Sequence, residues 1–426
     1  MSRVLAISWA SRRVGTLEQA DSGQLEFSYD PDWLSMAEPR PLSQSLPLQQ
    51  KTFDHASCRP FFAGLLPEAE KRDLIARGLG ISPRNDFALL DRIGGECAGA
   101  ITFLPPDAPA PGPTSPSDYT RLPRPELDRI LRLLPERPLL AGEEGIRLSL
   151  AGAQDKLPVL VRGGEIFLPL GAAPSSHIIK PQIPRFPDTV ANEALCLLLA
   201  AQLDLHAVEA QICTTEDQRF LLVARYDRVQ TGDDHLVRLH QEDFCQALSI
   251  PPELKYQSEG GPSLSQCFDL VRSVATRPAI ALARLLDYVI FNVLVGNNDA
   301  HGKNYSLLYL EDGRVELAPL YDAMCTQVYP GLSPKMAMKI GGKSEPDRVL
   351  PRHWDRLAFE SGLAAPLVRR RVVELSTLVE RMAAAAASTI RQSDRSPLLE
   401  RITTFISSRA AAVRRNFESE PKKPRR

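Results

Sequence analysis

The stretch "VGNNDAHGKNYSLL", residues 295–308, follows the apolar run "LLDYVIFNVL" with three Asn, an Asp, a His and a Lys. Polar groups in that number at the end of an apolar segment are either solvated or used. Asp299 and Asn304 stand with four residues between them, and Asp322 in "PLYDAM" follows one hairpin later. A carboxylate that takes a hydroxyl proton, beside an amide oxygen and a second carboxylate that hold Mg²⁺, is a working set for phosphoryl transfer. A protein-kinase catalytic loop sets its base Asp and its metal-binding Asn at this spacing. Taken singly, Asp299 and Asn298 equally suit a cap after a helix, and Asp322 a turn.

The same chemistry needs a Lys for the nucleotide phosphates and a loop that lets backbone N–H groups reach oxygen atoms. Lys180 in "HIIKPQI" is a charge in an otherwise apolar strand; it has an anionic partner or lies on an edge strand in water. Glu193, on the helix that follows, either orients it or shares a solvated face with Asn192. "SLAGAQDK", residues 149–156, matches neither G-x-x-x-x-G-K-[ST] nor G-x-G-x-x-G. It does precede a hairpin, in the position of a nucleotide-covering loop, with small residues that allow close backbone approach. His301 and Lys303 face phosphate in this reading. A metal site built on Asp299 and His301 instead would need further His ligands, and the sequence has none at a suitable spacing.

The elements that must position these groups follow from periodicity. Residues 1–104 alternate the strand-like "RVLAISWA" and "GQLEFSYD" with the helical "FAGLLPEAEKRDLIARGLG" and end in the strand "GAITFLP", which predicts a small α+β module. Repeated Pro and small residues in "PPDAPAPGPTSPSDYTRLPRPE" predict an exposed connection over 105–145 and a domain boundary at its start. "LPVLVR" and "EIFLPL" flank Gly163-Gly164 as a β-hairpin. "SSHIIKP" adds a strand, "PDTVANEALCLLLAAQLDL" an amphipathic helix, and "VEAQICT" and "RFLLVARYDRV" two more strands, so that 146–228 forms a strand lobe. Helical patterns fill 229–417, interrupted by the polar loop and a hairpin at Asp312-Gly313. The charged end, "ESEPKKPRR" over 418–426, has nothing to bury and is expected to be disordered.

Composition narrows the function classes. With 426 residues, two or three domains are expected. A formal net charge of -1 argues against a nucleic-acid binder that works by bulk charge. DNA contact would need a local patch such as "VRRRVVEL", with Arg369 to Arg371, whose alternative is a solvated helix face. The apolar part of "MSRVLAISWA" is too short for a signal peptide, and the longest apolar run, Ile280 to Gly296, is broken by Arg284 and Asp287. No membrane role and a cytoplasmic location are expected. Seven Cys without a C-x-x-C pair read as buried fillers in a reducing compartment.

"SLAGAQDKLPVL", "HIIKP", "NEALCLLLA", "RYDR", "HQEDFCQAL", "KYQSEGGPSL", "NNDAHGKNYSLL" and "PLYDAM" stand in the order found in HipA-family serine/threonine kinases. "PFFAGLLPEAEKRD" and "GGECAGAITF" resemble that family's amino-terminal subdomain, so the likeness spans nearly the whole chain. It implies an α+β, two-lobed, protein-kinase-like fold with a small amino-terminal α+β subdomain and a mainly helical C-terminal lobe. It implies an ATP- and Mg²⁺-dependent protein kinase, the toxin of a type II toxin–antitoxin pair. Asp299 would be the catalytic base and Asn304 and Asp322 the metal ligands. ATP would meet Ala151, Gly152, Ala153, Gln154, Asp155 and Lys156 of the loop, Lys180, His301, Lys303, Asn304, Tyr321 and Asp322, with Ala224, Arg225 and Tyr226 at the hinge. Ser149 matches the serine that the family autophosphorylates, which expels the loop and silences the kinase. Ala224 stands where some relatives have an acidic residue, and "NNDAH" replaces a "TDGH" type of loop. The resemblance further implies a small helix-turn-helix, HipB-like antitoxin, operator DNA through it, and a protein substrate in translation such as glutamyl-tRNA synthetase. Two other readings remain: an antitoxin-dependent DNA-binding corepressor with little kinase activity, and a small-molecule phosphotransferase.

Overall fold

The structure, a computed structural model, describes residues 3–231 and 235–419. Two compact units emerge from the packing of the chain. The first holds the chain through Pro181, then Cys213–Glu253 and Leu308–Gly313; the second holds Gln182–Ile212, Leu254–Leu307 and the chain from Arg314 on.

In the first unit, β1 (Arg3–Trp9), β2 (Arg12–Gln19), β3 (Leu25–Tyr29) and β4 (Ile101–Leu104) form an antiparallel sheet in the order β3-β2-β1-β4. Alternation in β1 sends Leu5 and Ile7 into the core. The expected single helix is two, α1 (His55–Gly64) and α2 (Ala69–Gly78), because Pro67 lies in the break between them. α1 is capped by Asp54, whose carboxylate accepts from the Ser57 N–H, and α3 (Asp86–Ile93) by Asn85. The Pro-rich connection contains more than a connection. After an exposed stretch it carries β5 (Tyr119–Arg121) and α4 (Arg124–Leu133), whose Pro125 sits in the first turn, where a missing N–H costs nothing.

A second sheet follows, built from β6 (Leu157–Arg162), β7 (Glu165–Pro169), β8 (His177–Pro181), β9 (Ala210–Thr214), which enters the unit at Cys213, and β10 (Arg219–Ala224). Its order is β5-β7-β6-β8-β10-β9. The β6–β7 turn is the expected Gly163-Gly164, with φ of 57° and 77°, the positive values a tight hairpin turn requires. β11 (Arg228–Thr231) and β12 (His235–Arg238) make a separate ribbon, and "HQEDFCQAL" splits into β13 (His240–Asp243) and the short helix Phe244–Ala247. One uninterrupted apolar core serves both sheets. Phe27, Phe61, Phe62 and Phe103 from the amino-terminal module belong to the same cluster as Leu157, Val159, Ile179 and Phe220.

The second unit is mainly helical: α5 (Thr189–Gln202), α6 (Leu264–Val274), α7 (Pro278–Val295), α8 (Pro351–Glu360), α9 (Ala365–Ser393) and α10 (Leu398–Glu418). α5 is buried nearly all round rather than amphipathic, because α9 and α10 both pack on it. α7 is long and apolar enough to cross a membrane by length and composition, yet it packs against α6, α9 and α10 as a core helix. β14 (Ser306–Tyr309) and β15 (Val315–Leu317) flank the expected turn, where the Gly313 N–H donates to the Leu310 carbonyl at 3.1 Å. The last helix runs through Glu418, and residues 420–426 of the expected disordered tail lie outside the described residues. Six of the seven Cys are buried, as fillers should be. The "VRRRVVEL" patch is neutralised from within: Arg369 pairs with Asp355, Arg371 with Asp287, and Arg370 approaches Glu374.

Candidate active site

The polar loop begins where α7 stops. The Gly296 N–H donates to the Val293 carbonyl and the Asn297 N–H to the Asn292 carbonyl, at 3.3 and 2.8 Å, a Schellman ending with Gly296 at φ 75°. A Cβ at Gly296 would run into the ring of Phe405, so both conformation and space demand glycine.

Neither Asn side chain after that glycine caps the helix. The Asn297 side-chain amide donates to Asn292 Oδ1 at 2.9 Å and to the Asp322 carbonyl at 3.3 Å, while its oxygen accepts from the Asp299 N–H. Asn298 donates its N–H to Thr326 Oγ1 and its amide to the Ser333 carbonyl. Both are buried and act as struts. Asp299 itself is exposed, and one of its oxygens accepts from the Tyr256 hydroxyl at 2.7 Å.

His301 and Lys303 are buried, and Asn304 closes a short turn in which its N–H donates to the His301 carbonyl and its side-chain oxygen accepts from the His301 N–H. The Tyr321 hydroxyl donates to the Lys303 carbonyl at 2.8 Å and lies 2.7 Å from Ser306 Oγ. Asp322 follows, exposed, at φ 52°, a left-handed conformation in which Asp is tolerated and which recurs at functional sites. Asn297 and Tyr321 thus tie Asp322 to the loop that carries Asp299 and Asn304. The Asn304 amide oxygen and the Asp322 carboxylate are hard oxygen donors, a set suited to Mg²⁺ that keeps waters and phosphate oxygens as its other ligands. Among the described residues no group of three or more His, Cys, Asp or Glu is arranged to hold a metal ion.

Lys180, the loop from Ala151 to Lys156, Ser149 and the hinge residues lie in the first unit. Lys180 is only 6% exposed and sits on an interior strand: β10 pairs with β8 on one side, Lys180 opposite Leu221, and β6 pairs on the other. The edge-strand alternative is therefore excluded. The loop from Ala151 to Lys156 is folded onto itself and onto α2. Lys156 Nζ donates to the Ala151 carbonyl, the Gly152 carbonyl accepts from the Glu68 N–H at 3.2 Å, and Asp155 pairs with Lys71 at 2.8 Å. Burial raises the Asp155 carboxyl above its ordinary range, against the opposing pull of Lys71. Gly152, at φ 108°, again needs glycine. Ser149, just upstream, is 0% exposed; its hydroxyl donates to the Leu65 carbonyl at 3.0 Å and its N–H to the Glu96 carbonyl at 2.9 Å.

The hinge residues end β10 and follow it. Ala224 lies opposite His177 in the sheet, and the Tyr226 hydroxyl donates to Gln241. The Arg225 guanidinium is buried in an ion network: it grips Asp227 through two bonds of 2.9 and 2.8 Å and reaches Glu96 and Ser175. Arg228 and Arg238 join Glu96 from other sides. Burial alone would raise the Glu96 carboxyl, but Arg228, Arg238 and Arg225 bring it below the usual carboxylate range. The Asp227 carboxyl is depressed in the same way, its burial outweighed by Arg225 and Arg228. Any adenine contact at Arg225 would fall to its backbone carbonyl, since its N–H already donates to the Ser176 carbonyl.

In the second unit, Asn192 and Glu193 are buried, not solvated. Asn192 accepts from the Cys325 N–H and donates to the Cys325 carbonyl and the Tyr329 hydroxyl, so it braces the segment after Asp322. Residue types alone did not single out Asn297, Asn192, Tyr256 or Glu96 as structural. For Glu96 a signal existed, a lone carboxylate in the small-residue run "GGECAGA".

Family models for a HipA N-terminal domain and a HipA-like C-terminal domain match residues 5–104 and 148–390. The Sinorhizobium fredii protein Y4mE is 48% identical over 88% of this chain and 89% of its own length. The "Serine/threonine-protein kinase toxin HipA" of Shewanella oneidensis is 30% identical over 79% of this chain and 78% of that one. A solved Shewanella oneidensis HipA, in complex with HipB and its operator DNA, superposes with a TM-score of 0.80 at 26% identity, covering 97% of this chain and 96% of that one. The expected α+β, two-lobed kinase-like class is borne out by that match.

Proposed function

The chain belongs to the HipA family, and from that premise we propose that it is an ATP- and Mg²⁺-dependent protein serine/threonine kinase acting as the toxin of a type II toxin–antitoxin pair. The observation that carries the reading is the second unit's loop. A carboxylate, an amide oxygen and a second carboxylate, at Asp299, Asn304 and Asp322, are held by the buried Asn297 and the half-buried Tyr321 while the two carboxylates stay exposed. Bound Mg²⁺ would screen the phosphate charge as the γ-phosphoryl group leaves ADP. Asn304 and Asp322 supply its oxygen ligands, and Asp299 takes the proton of the attacking hydroxyl. Lys180, desolvated on an interior strand, is assigned to the phosphates together with His301 and Lys303. The backbone of Ala151 to Lys156 is assigned to the nucleotide, and Tyr321 and the hinge from Ala224 to Tyr226 to its surroundings.

Self-inactivation at Ser149 fits its burial. A phosphoserine carries about −1.5 to −2 charges, and the Ser149 hydroxyl points at the Leu65 carbonyl in a site with no exposure. Modification would force this segment and the attached loop out, away from the position the nucleotide needs. A HipB-like helix-turn-helix antitoxin with operator DNA is proposed as partner because the matched Shewanella protein was solved with both and nearly all of this chain aligns to it. A translation protein as substrate and a cytoplasmic location complete the reading.

The test is the intact mass of the purified chain before and after Mg²⁺-ATP, with the modified peptide mapped. Added phosphate on Ser149 is expected, and Asp299→Asn should slow transfer by roughly 10²- to 10⁴-fold while ATP still binds. Parental transfer by Asp299→Asn would remove Asp299 from the role of base.

A further inference from the structure

We infer that Tyr256 is a positioning residue for this kinase: its hydroxyl holds one oxygen of the Asp299 carboxylate and so fixes the direction in which the group faces the substrate's hydroxyl. The inference rests on the assignment of Asp299 as base.

Three features support it. The Tyr256 hydroxyl donates to Asp299 Oδ1 at 2.7 Å, the length of a normal to short bond from a neutral hydroxyl to a carboxylate. The ring is also fixed: it meets His301 edge-on, with centroids 5.3 Å apart and planes at 81°. Finally, the backbone on either side of the contact belongs to one frame. The Ala337 N–H donates to the Asn298 carbonyl at 2.8 Å, the Gln257 N–H donates to the Ala337 carbonyl at 3.1 Å, and Gln257 Oε1 accepts from the Lys339 N–H at 2.6 Å. The residue before Asp299 and the residue after Tyr256 are therefore joined through a single intermediate, so phenol and carboxylate cannot drift independently. The turn behind the tyrosine is equally constrained. The Glu259 and Gly261 N–H groups both donate to the Tyr256 carbonyl at 2.9 Å, and a side chain at Gly261 would collide with the Leu254 carbonyl.

An exposed carboxylate rotates about its own bonds, and a base that must meet one hydroxyl in one geometry loses rate when it does.

The variant is Tyr256→Phe, which keeps the ring on His301 and removes only the donor. Transfer from Mg²⁺-ATP to myelin basic protein and to the chain itself is followed at varied ATP, beside the parent and Asp299→Asn. The expected result is kcat lower by roughly tenfold, the scale of a lost bond to a charged group, with KM for ATP unchanged. A parental kcat for Tyr256→Phe, with Asp299→Asn inactive, overturns the inference and leaves the base in place. An active Asp299→Asn overturns the assignment of the base, and the role of Tyr256 falls with it. A parent that phosphorylates neither acceptor sinks the kinase reading itself.

Discussion

Gly296 concentrates what a single residue does here. It turns α7 out of its axis at φ 75°, and the space beside it is already taken by Phe405. Gly296→Ala should lower stability by about 1–3 kcal/mol from backbone strain alone, with the overlap adding to it. A lowered melting temperature together with a loss of phosphate transfer is the expected outcome, because Asn297 and Asp299 hang from that corner; an unchanged melting temperature would contradict the geometry. At this scale the sequence was legible where chemistry has a type and a spacing. Asp299, Asn304 and Asp322 stood out because carboxylates and an amide near an apolar run have few uses. Asn297 did not, because its importance lies in partners five and 25 residues away, Asn292 and Asp322, which only folding brings to its amide. The partners of the Arg225 guanidinium were invisible for a related reason: Glu96, which holds it together with Asp227, lies 129 residues away in the sequence.

Between residues and the whole chain, elements decide which charges are affordable. Lys180 is desolvated because β8 has neighbours on both sides, and no pattern within "HIIKP" reveals how many neighbours a strand has. Patterns also failed where two signals overlapped: α4 was hidden by surrounding prolines, and α5 is apolar nearly all round because two helices cover it. The ion network between the "GGECAGA" segment and the start of β11 makes a prediction about acid. Glu96 and Asp227 have carboxyls depressed in the folded state, so the stability they contribute is present above the unfolded carboxylate value of about 4 and is lost as pH falls through the lower folded values. Melting temperature should therefore drop steeply below about pH 4. Glu96→Gln should cost about 3–5 kcal/mol at neutral pH, as removing one partner of a buried pair does, and should flatten the acid limb. A variant that melts like the parent at pH 7 would show that the network is not what holds these strands.

Across the whole molecule, the order of motifs was readable and the family followed from it, whereas the partition of the core was not. Composition marked residue 105 as a boundary because proline and small residues cannot build a core, which holds only for the first part of the segment, since Leu127, Ile130 and Leu131 of α4 join the core. It says nothing about what the segments on either side share. The apolar cluster of the first unit runs from Leu5 and Phe103 to Ile179 and Phe220 without interruption. That continuity governs what a protease can accomplish. A nick in the exposed stretch between Pro105 and Ser115 should give two bands on a denaturing gel yet a single peak on size exclusion under native conditions, the fragments staying bound through phenylalanines neither can cover alone. Fragments that separate without denaturant would mean that the module is an independent body. If they stay together, the amino-terminal hundred residues cannot be trimmed from this chain without replacing the surface they occupy.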